Sequence, residues 1–99
     1  MCETAKPGTA RGTVLIENAR TRVTEWRFAA RGDNTGWHKH GHDYVVVPLM
    51  DGTLKLETPD GTQMAELKQG ASYNREAGVE HDVINASEGP FAFVEIELK

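Results

Sequence analysis

Apolar and polar residues alternate in short runs along most of the chain. Nowhere do apolar positions keep a spacing of three and four beyond about two turns, so the pattern predicts strands and no helix. Eight runs qualify: Thr13 to Asn18, Thr21 to Ala29, Asp43 to Leu49, Thr53 to Thr58, Gln63 to Leu67, Ser72 to Asn74, His81 to Asn85 and Phe91 to Leu98. In the second run Thr24, Trp26 and Phe28 share one face, opposite Val23, Glu25 and Arg27. Leu54 and Leu56 likewise face away from Lys55 and Glu57. In the last run Ala92, Val94, Ile96 and Leu98 alternate with Phe91, Phe93, Glu95 and Glu97, which predicts a strand covered in part on both faces.

Turn chemistry separates these runs. Asp51-Gly52 lies between two apolar stretches and predicts a hairpin. Pro59-Asp60-Gly61 predicts a second turn, because Pro presets φ and Gly permits positive φ; Ser87-Glu88-Gly89-Pro90 predicts a third. Short strands without helices point to an all-β sandwich or barrel, and closure into a small barrel or jelly roll removes exposed edges. Ninety-nine residues allow one domain, assigned to 13–99, behind a small-residue, polar tail at 1–12 that reads as flexible.

Charge narrows the function classes. Lys and Arg number 11 against 15 Asp and Glu, a formal charge of −4. That balance excludes a general nucleic-acid binder, which needs a basic face, and a polybasic membrane anchor. No apolar run approaches the roughly 18 residues of a spanning helix. Met1 to Gly12 lacks an apolar leader core, and the lone Cys2 has no partner for an internal disulfide. The expected setting is the reducing cytoplasm, and Cys2 reads as an ordinary thiol.

The candidate chemistry is histidine. Three of the four histidines lie in Gly36-Trp37-His38-Lys39-His40-Gly41-His42-Asp43-Tyr44, and the fourth is His81. On an extended strand His38, His40 and His42 project to one face. Imidazole suits transition metals near neutral pH. Two histidines two residues apart, with a third from a distant strand, make three sides of a metal polyhedron and leave the rest open for water or substrate. The same run also fits a solvated edge strand.

The spacing resembles the cupin family, in particular small single-domain cupins with the type-2 conserved barrel. Their first motif runs Gly, five residues, His-x-His, three or four residues, Glu, six residues, Gly. Here Gly32, His38-Lys39-His40, Val45 and Gly52 stand at that spacing. The second motif runs Gly, five residues, Pro-x-Gly, two residues, His, three residues, Asn; here Gly70, Glu76-Ala77-Gly78, His81 and Asn85 match. Thr35 to Leu49 is also similar to small cupins associated with β-alanine degradation. The resemblance implies a compact β-barrel or jelly roll with a divalent transition metal (Fe, Mn, Ni, Zn or Cu) in its mouth on His38, His40 and His81, and a homodimer paired through an outer sheet.

Two departures matter. Glu76 replaces the proline of the second motif, and the first-motif glutamate falls on Val45 or, with the shorter gap, Tyr44. A neutral three-histidine set leaves a bound cation more positive, so it holds metal less tightly and polarises an anion more strongly. His42 and Tyr44 share the parity of His40 and are candidates to complete the site; a bulge at Gly41 would instead turn Asp43 inward. Tyr44 also fits a core aromatic with its hydroxyl at the rim. Arg75 fits either a bidentate clamp on a substrate carboxylate or a solvated surface arginine. Trp37 fits core packing or a pocket wall, and Asn85 fits backbone bonding that fixes the His81 strand. Glu95 and Glu97 are expected at the surface; turned inward, either would be a buried carboxylate with a raised pKa.

Three functions follow. The first is a metal-dependent enzyme, of dioxygenase or isomerase type, acting on a small oxygen-rich or carboxylate substrate with Tyr44 and Arg75 beside the metal. Decarboxylases also occur on the cupin scaffold, and some cupin dioxygenases use three histidines. The second is a non-catalytic small-molecule binding or sensor cupin. The third is an interaction protein with vestigial histidines.

Overall fold

The structure, a computed structural model, describes residues 8–99. Its strands are β1 (Arg11–Glu17), β2 (Thr21–Phe28), β3 (His38–Lys39), β4 (Asp43–Pro48), β5 (Gly52–Thr58), β6 (Gly61–Leu67), β7 (Tyr73–Arg75), β8 (Glu80–Asn85) and β9 (Phe91–Leu98). No helix of the structure is long and apolar enough to cross a membrane. The eight expected runs are all strands, and β3 is an additional short one. Of the expected 1–12 tail, residues 1–7, including Cys2, lie outside the described residues. Ala10 is buried, and β1 opens at Arg11, ahead of the expected start at Thr13.

Two antiparallel sheets face each other, with strand orders β1-β2-β9-β4-β7 and β3-β8-β5-β6. This is the all-β sandwich, or jelly roll, that the alternation predicts. Register lays the inward residues of the larger sheet in transverse rows. Phe28 pairs with Phe91, and Trp26 with Phe93, which pairs on its other side with Pro48. The next row is Thr24, Glu95, Val46 and Tyr73; the last is Arg22, Glu97, Tyr44 and Arg75. The facing sheet carries Leu54 opposite Asn85, Leu56 opposite Val83, and His38 opposite His81. One end of the sandwich is therefore apolar and the other polar.

The apolar end supplies the stability. Phe28, Phe91, Phe93, Leu54 and Leu56 are buried, and the three phenylalanine rings tilt against one another at centroid separations of 5.8–6.3 Å. Asn85 is 1 % exposed in this apolar setting, and its amide is fully used. Nδ2 donates to the carbonyls of Ala30 and Gly89 at 3.1 and 2.9 Å, and Oδ1 accepts from the Ser87 backbone. Asn85 thus ties the loop after β2 and the loop before β9 to the strand that carries His81.

The expected Pro59-Asp60-Gly61 turn closes a hairpin, joining β5 to β6 with Gly61 at φ +113°. Asp51-Gly52 is not. β4 pairs with β7 and β9, whereas β5 pairs with β6 and β8, so the chain crosses between sheets at this point. Gly52 is needed there for close approach. A Cβ at this position would lie 2.3 Å from Phe91 Cδ1 and 2.7 Å from Ser87 Oγ. Phe91 is 1 % exposed and has nowhere to go.

Gly52→Ala should therefore lower the unfolding free energy by about 3 kcal/mol, the upper range for overpacking a core. Gly41→Ala, where a Cβ meets nothing within 4 Å, should leave it within about 0.5 kcal/mol. Urea unfolding of the two variants measures the difference.

Candidate metal centre

β3 is too short to carry three histidines in register. His38 lies in it, opposite His81 of β8. The chain leaves β3 at His40, whose backbone is pinned from both sides: its N–H donates to the Val79 carbonyl and its carbonyl accepts from Gly78 N–H, both at 2.8 Å. Gly41 and His42 then bend before β4 begins at Asp43. The bend ends the strand parity that would have turned His42 inward, and His42 is exposed. Asp43 is exposed too, and its Oδ1 accepts from the Ala77 N–H at 2.8 Å.

The other three histidines converge. His38 Nε2 lies 3.0 Å from His40 Nε2, which lies 3.2 Å from His81 Nε2. Partners fix where the protons sit. His38 Nδ1 is 2.9 Å from the Gly36 carbonyl, which can only accept, so Nδ1 carries the proton and Nε2 the lone pair. His40 Nδ1 faces Glu95 Oε2 at 3.5 Å, which directs its proton the same way. His81 Nδ1 is buried with no partner among the described residues, so only its Nε2 engages the cluster.

Burial keeps the rings of His40 and His81 neutral. It lowers His40 to about 4 and His81 to about 3, and the nearby His38 and Arg75 charges push both in the same direction. Lone pairs facing one another at such distances repel unless a cation lies between them. Imidazole nitrogens about 2.0–2.1 Å from one cation stand about 2.9 Å apart at cis octahedral positions and about 3.4 Å apart at tetrahedral ones. The observed 3.0 and 3.2 Å fall between, so the residues present fit a first-row divalent metal.

The cavity around them holds about 420 Å³ including its mouth. Tyr44 stands where the first cupin motif carries glutamate, while Val45 points to the other face of β4. The Tyr44 ring stacks on His40 at 3.9 Å and 19°. Burial raises its phenol above the usual range, so it stays protonated. Arg75 of β7 is half-buried and lines the same cavity. Trp37 is half exposed, and its Nε1 donates to Glu80 Oε2 at 3.0 Å, so it belongs neither to the core nor to the cavity wall.

Glu95 corrects the surface expectation. It is 7 % exposed and lines the cavity; Trp26 Nε1 donates to its Oε1 at 3.2 Å. Burial and the charge of Glu97 push it up to about 7, against the Trp26 bond and Arg22. It stands behind His40, not among the converging nitrogens. Period-two reading carried the signal: Glu95 shares a face with Phe91 and Phe93, and that face is core.

An antiparallel sandwich with histidines of two distant segments meeting at its polar end is the architecture of a cupin, and the chain belongs to that family: residues 24–97 match the cupin domain. Over 87 residues it is 62 % identical to the "Beta-alanine degradation protein BauB" of Pseudomonas aeruginosa, spanning 88 % of this chain and 90 % of that one. The crystal structure of a cupin domain from Bordetella pertussis Tohama I superposes with a TM-score of 0.90 at 54 % identity, over 97 % of this chain and 99 % of that one. An RmlC-like cupin with a double-stranded β-helix fold from Methanocaldococcus jannaschii shares the fold alone, with a TM-score of 0.75 at 14 % identity, over 97 % and 86 % of the two chains.

Two substitutions separate the roles of these side chains in a Ni(II) or Co(II) titration. His42→Ala should bind as the parent does. Glu95→Gln, which removes the charge behind His40, should weaken binding roughly 10–100-fold, the usual effect of losing a group that orients a metal ligand.

Proposed function

We propose that the chain is a small metal-dependent enzyme in which His38, His40 and His81 hold one divalent transition metal (Fe, Mn, Ni, Zn or Cu) and a small oxygen-rich or carboxylate substrate binds beside it. One observation carries this reading: three imidazoles bring their Nε2 atoms together, at 3.0 Å (His38 to His40) and 3.2 Å (His40 to His81), at the wall of a narrow cavity. A metal there supplies Lewis acidity or, if redox-active, the activation of O₂. Its ligands would all be neutral, so its full charge would act on the substrate.

The chain's own residues do the rest. Gly36 and Glu95 orient His38 and His40, and the Tyr44 ring backs His40 while its phenol stays a neutral hydrogen-bond donor. Val46, Leu54 and Phe93 exclude water from the inner wall. The name of the Pseudomonas aeruginosa relative supports a setting in the breakdown of a small amino acid or its products, where substrates are short carboxylates. Redox-active three-histidine chemistry favours a dioxygenase over an isomerase.

Elemental analysis of the untagged protein tests the site. Near-stoichiometric metal in the parent and none in His38→Ala, with unchanged circular dichroism, is the expected result. O₂ consumption with a panel of small carboxylates then separates an enzyme from a binding or sensor cupin. No metal after anaerobic reconstitution with Fe(II), Mn, Ni and Zn would sink the reading.

We also propose that β1 joins two copies of the chain. It is the edge of the larger sheet, all seven residues are exposed, and Val14, Leu15 and Ile16 present apolar side chains on both faces, each 53 % exposed. Such an edge suits a second β1 related by a two-fold axis, which satisfies both free ladders at once. Light scattering at micromolar concentration should give a dimer for the parent and a monomer for Ile16→Asp; a monomeric parent would refute the pairing.

A further inference from the structure

We infer that Arg75 is the carboxylate-binding arm of the cavity, and that the ligand is a short-chain organic acid held with its carboxylate on the guanidinium and its chain over the apolar wall. The inference deepens the reading above and rests on it for the metal end of the ligand.

Placement comes from register. β7 has three residues, and their exposure alternates: Tyr73 and Arg75 are half-buried, Asn74 exposed. Arg75 pairs with Tyr44 across β4, so it enters the row nearest the histidines. Tyr73 lines the row below, opposite Val46.

Partner accounting then singles out Arg75. A guanidinium carries five N–H donors and stays charged at any working pH. Arg22 meets Glu17 and Glu97, and Arg27 meets Glu25. Arg11, Arg20 and Arg31 are exposed to water. Arg75 is the half-buried arginine that has neither a carboxylate within 4.0 Å nor a side-chain hydrogen bond among the described residues; Glu76 beside it on the chain is exposed and makes no ion pair with it. Among the described residues the one carboxylate lining this cavity, Glu95, is engaged by Trp26 and His40 instead.

An unpaired guanidinium lining a cavity calls for an anion. The guanidinium fork matches the two oxygens of a carboxylate. Only one guanidinium is present, and the wall beyond it is Val46, Leu54, Leu56, Val83 and Phe93. One fork and an apolar wall suit a planar monoanion with a short hydrocarbon chain better than a phosphate dianion, which needs more donors. The cavity is narrow and partly enclosed, so only a small molecule reaches it.

The test uses calorimetry with three probes, propionate, propionamide and inorganic phosphate, on the Co(II)-loaded protein and on the metal-free protein. The variants are Arg75→Gln, Arg75→Lys and Glu76→Gln, each checked for fold by circular dichroism and for cobalt content. Propionate should bind the loaded parent and the Glu76→Gln protein at least tenfold more tightly than propionamide does. Arg75→Gln should weaken propionate roughly 10–100-fold, the effect of losing hydrogen bonds to a charged group, with cobalt content unchanged. Arg75→Lys should restore part of that affinity, since it returns the charge without the fork. Equal propionate affinity in the parent and Arg75→Gln, at equal cobalt content, would place the carboxylate on the metal and overturn the role of Arg75. Phosphate binding more tightly than propionate would overturn the ligand class, and no binding of propionate to the parent would overturn both. If the parent takes up no cobalt, the metal-centre reading fails by itself, and loss of propionate binding to the metal-free protein on Arg75→Gln still decides the role of Arg75.

Discussion

Three imidazole Nε2 atoms are held together at separations of 3.0 and 3.2 Å, and the rest of the site depends on that enforced crowding. Ordinary histidines would relieve it by protonation or by turning to solvent. Here burial opposes protonation of His40 and His81, and the backbone or a neighbouring side chain holds each ring in place. His38 is held by the Gly36 carbonyl, His40 by the Tyr44 stack and the Glu95 carboxylate, and His81 by its place in β8. The backbone at His40 is fixed by two further bonds to the segment preceding β8. The crowding is therefore preorganised by the fold, which is what a site needs if it is to bind a cation without rearranging.

That preorganisation is sustained from the opposite end of the sandwich. Rows of inward residues run from Phe28 and Phe91, through Trp26 and Phe93, to Glu95 and then Arg75. The first rows bury the apolar area that drives folding, and the last tolerate buried charge because the first are secure. Asn85 couples the two ends: it is buried beside Leu54, bonds two loops, and lies in the strand that presents His81. Gly52 does similar work at the crossing between sheets, where only the absence of a side chain lets β5 approach Phe91.

Strand positions, the sheet-forming character of the chain and the three converging histidines were all legible in the sequence, because each rests on a short-range period or on a spacing carried by two motifs. What the sequence left hidden depends on pairing between distant segments. Asp51-Gly52 has the composition of a hairpin, but the partners of β4 and β5 lie elsewhere, so the turn becomes a crossing. His42 keeps the parity of His40 only if the strand continues, and the bonds from His40 to Val79 and Gly78 end it. Trp37 looks like core by composition, yet it sits before a two-residue strand at the rim, where Glu80 takes its N–H. Glu95 was readable in principle from Phe91 and Phe93, but charge argued for the surface, and only the cavity it lines shows why a carboxylate is tolerated there.

The displaced carboxylate changes what the site can do. In the cupin pattern an acidic side chain stands in the first motif, where it would neutralise part of a cation's charge directly. Tyr44 occupies that place here as a buried phenol, and the carboxylate of Glu95 enters from β9 to stand behind His40. A carboxylate in that position accepts the Nδ1 proton and makes the imidazole a better donor without filling a coordination site. A cation held there would have neutral ligands and open positions, and its positive field would add to the Arg75 charge across the same cavity. Such a field selects anions before any specific contact is made, and it strengthens as water is excluded by the apolar wall. The combination favours a ligand that brings its own negative charge to replace the one the first motif lacks.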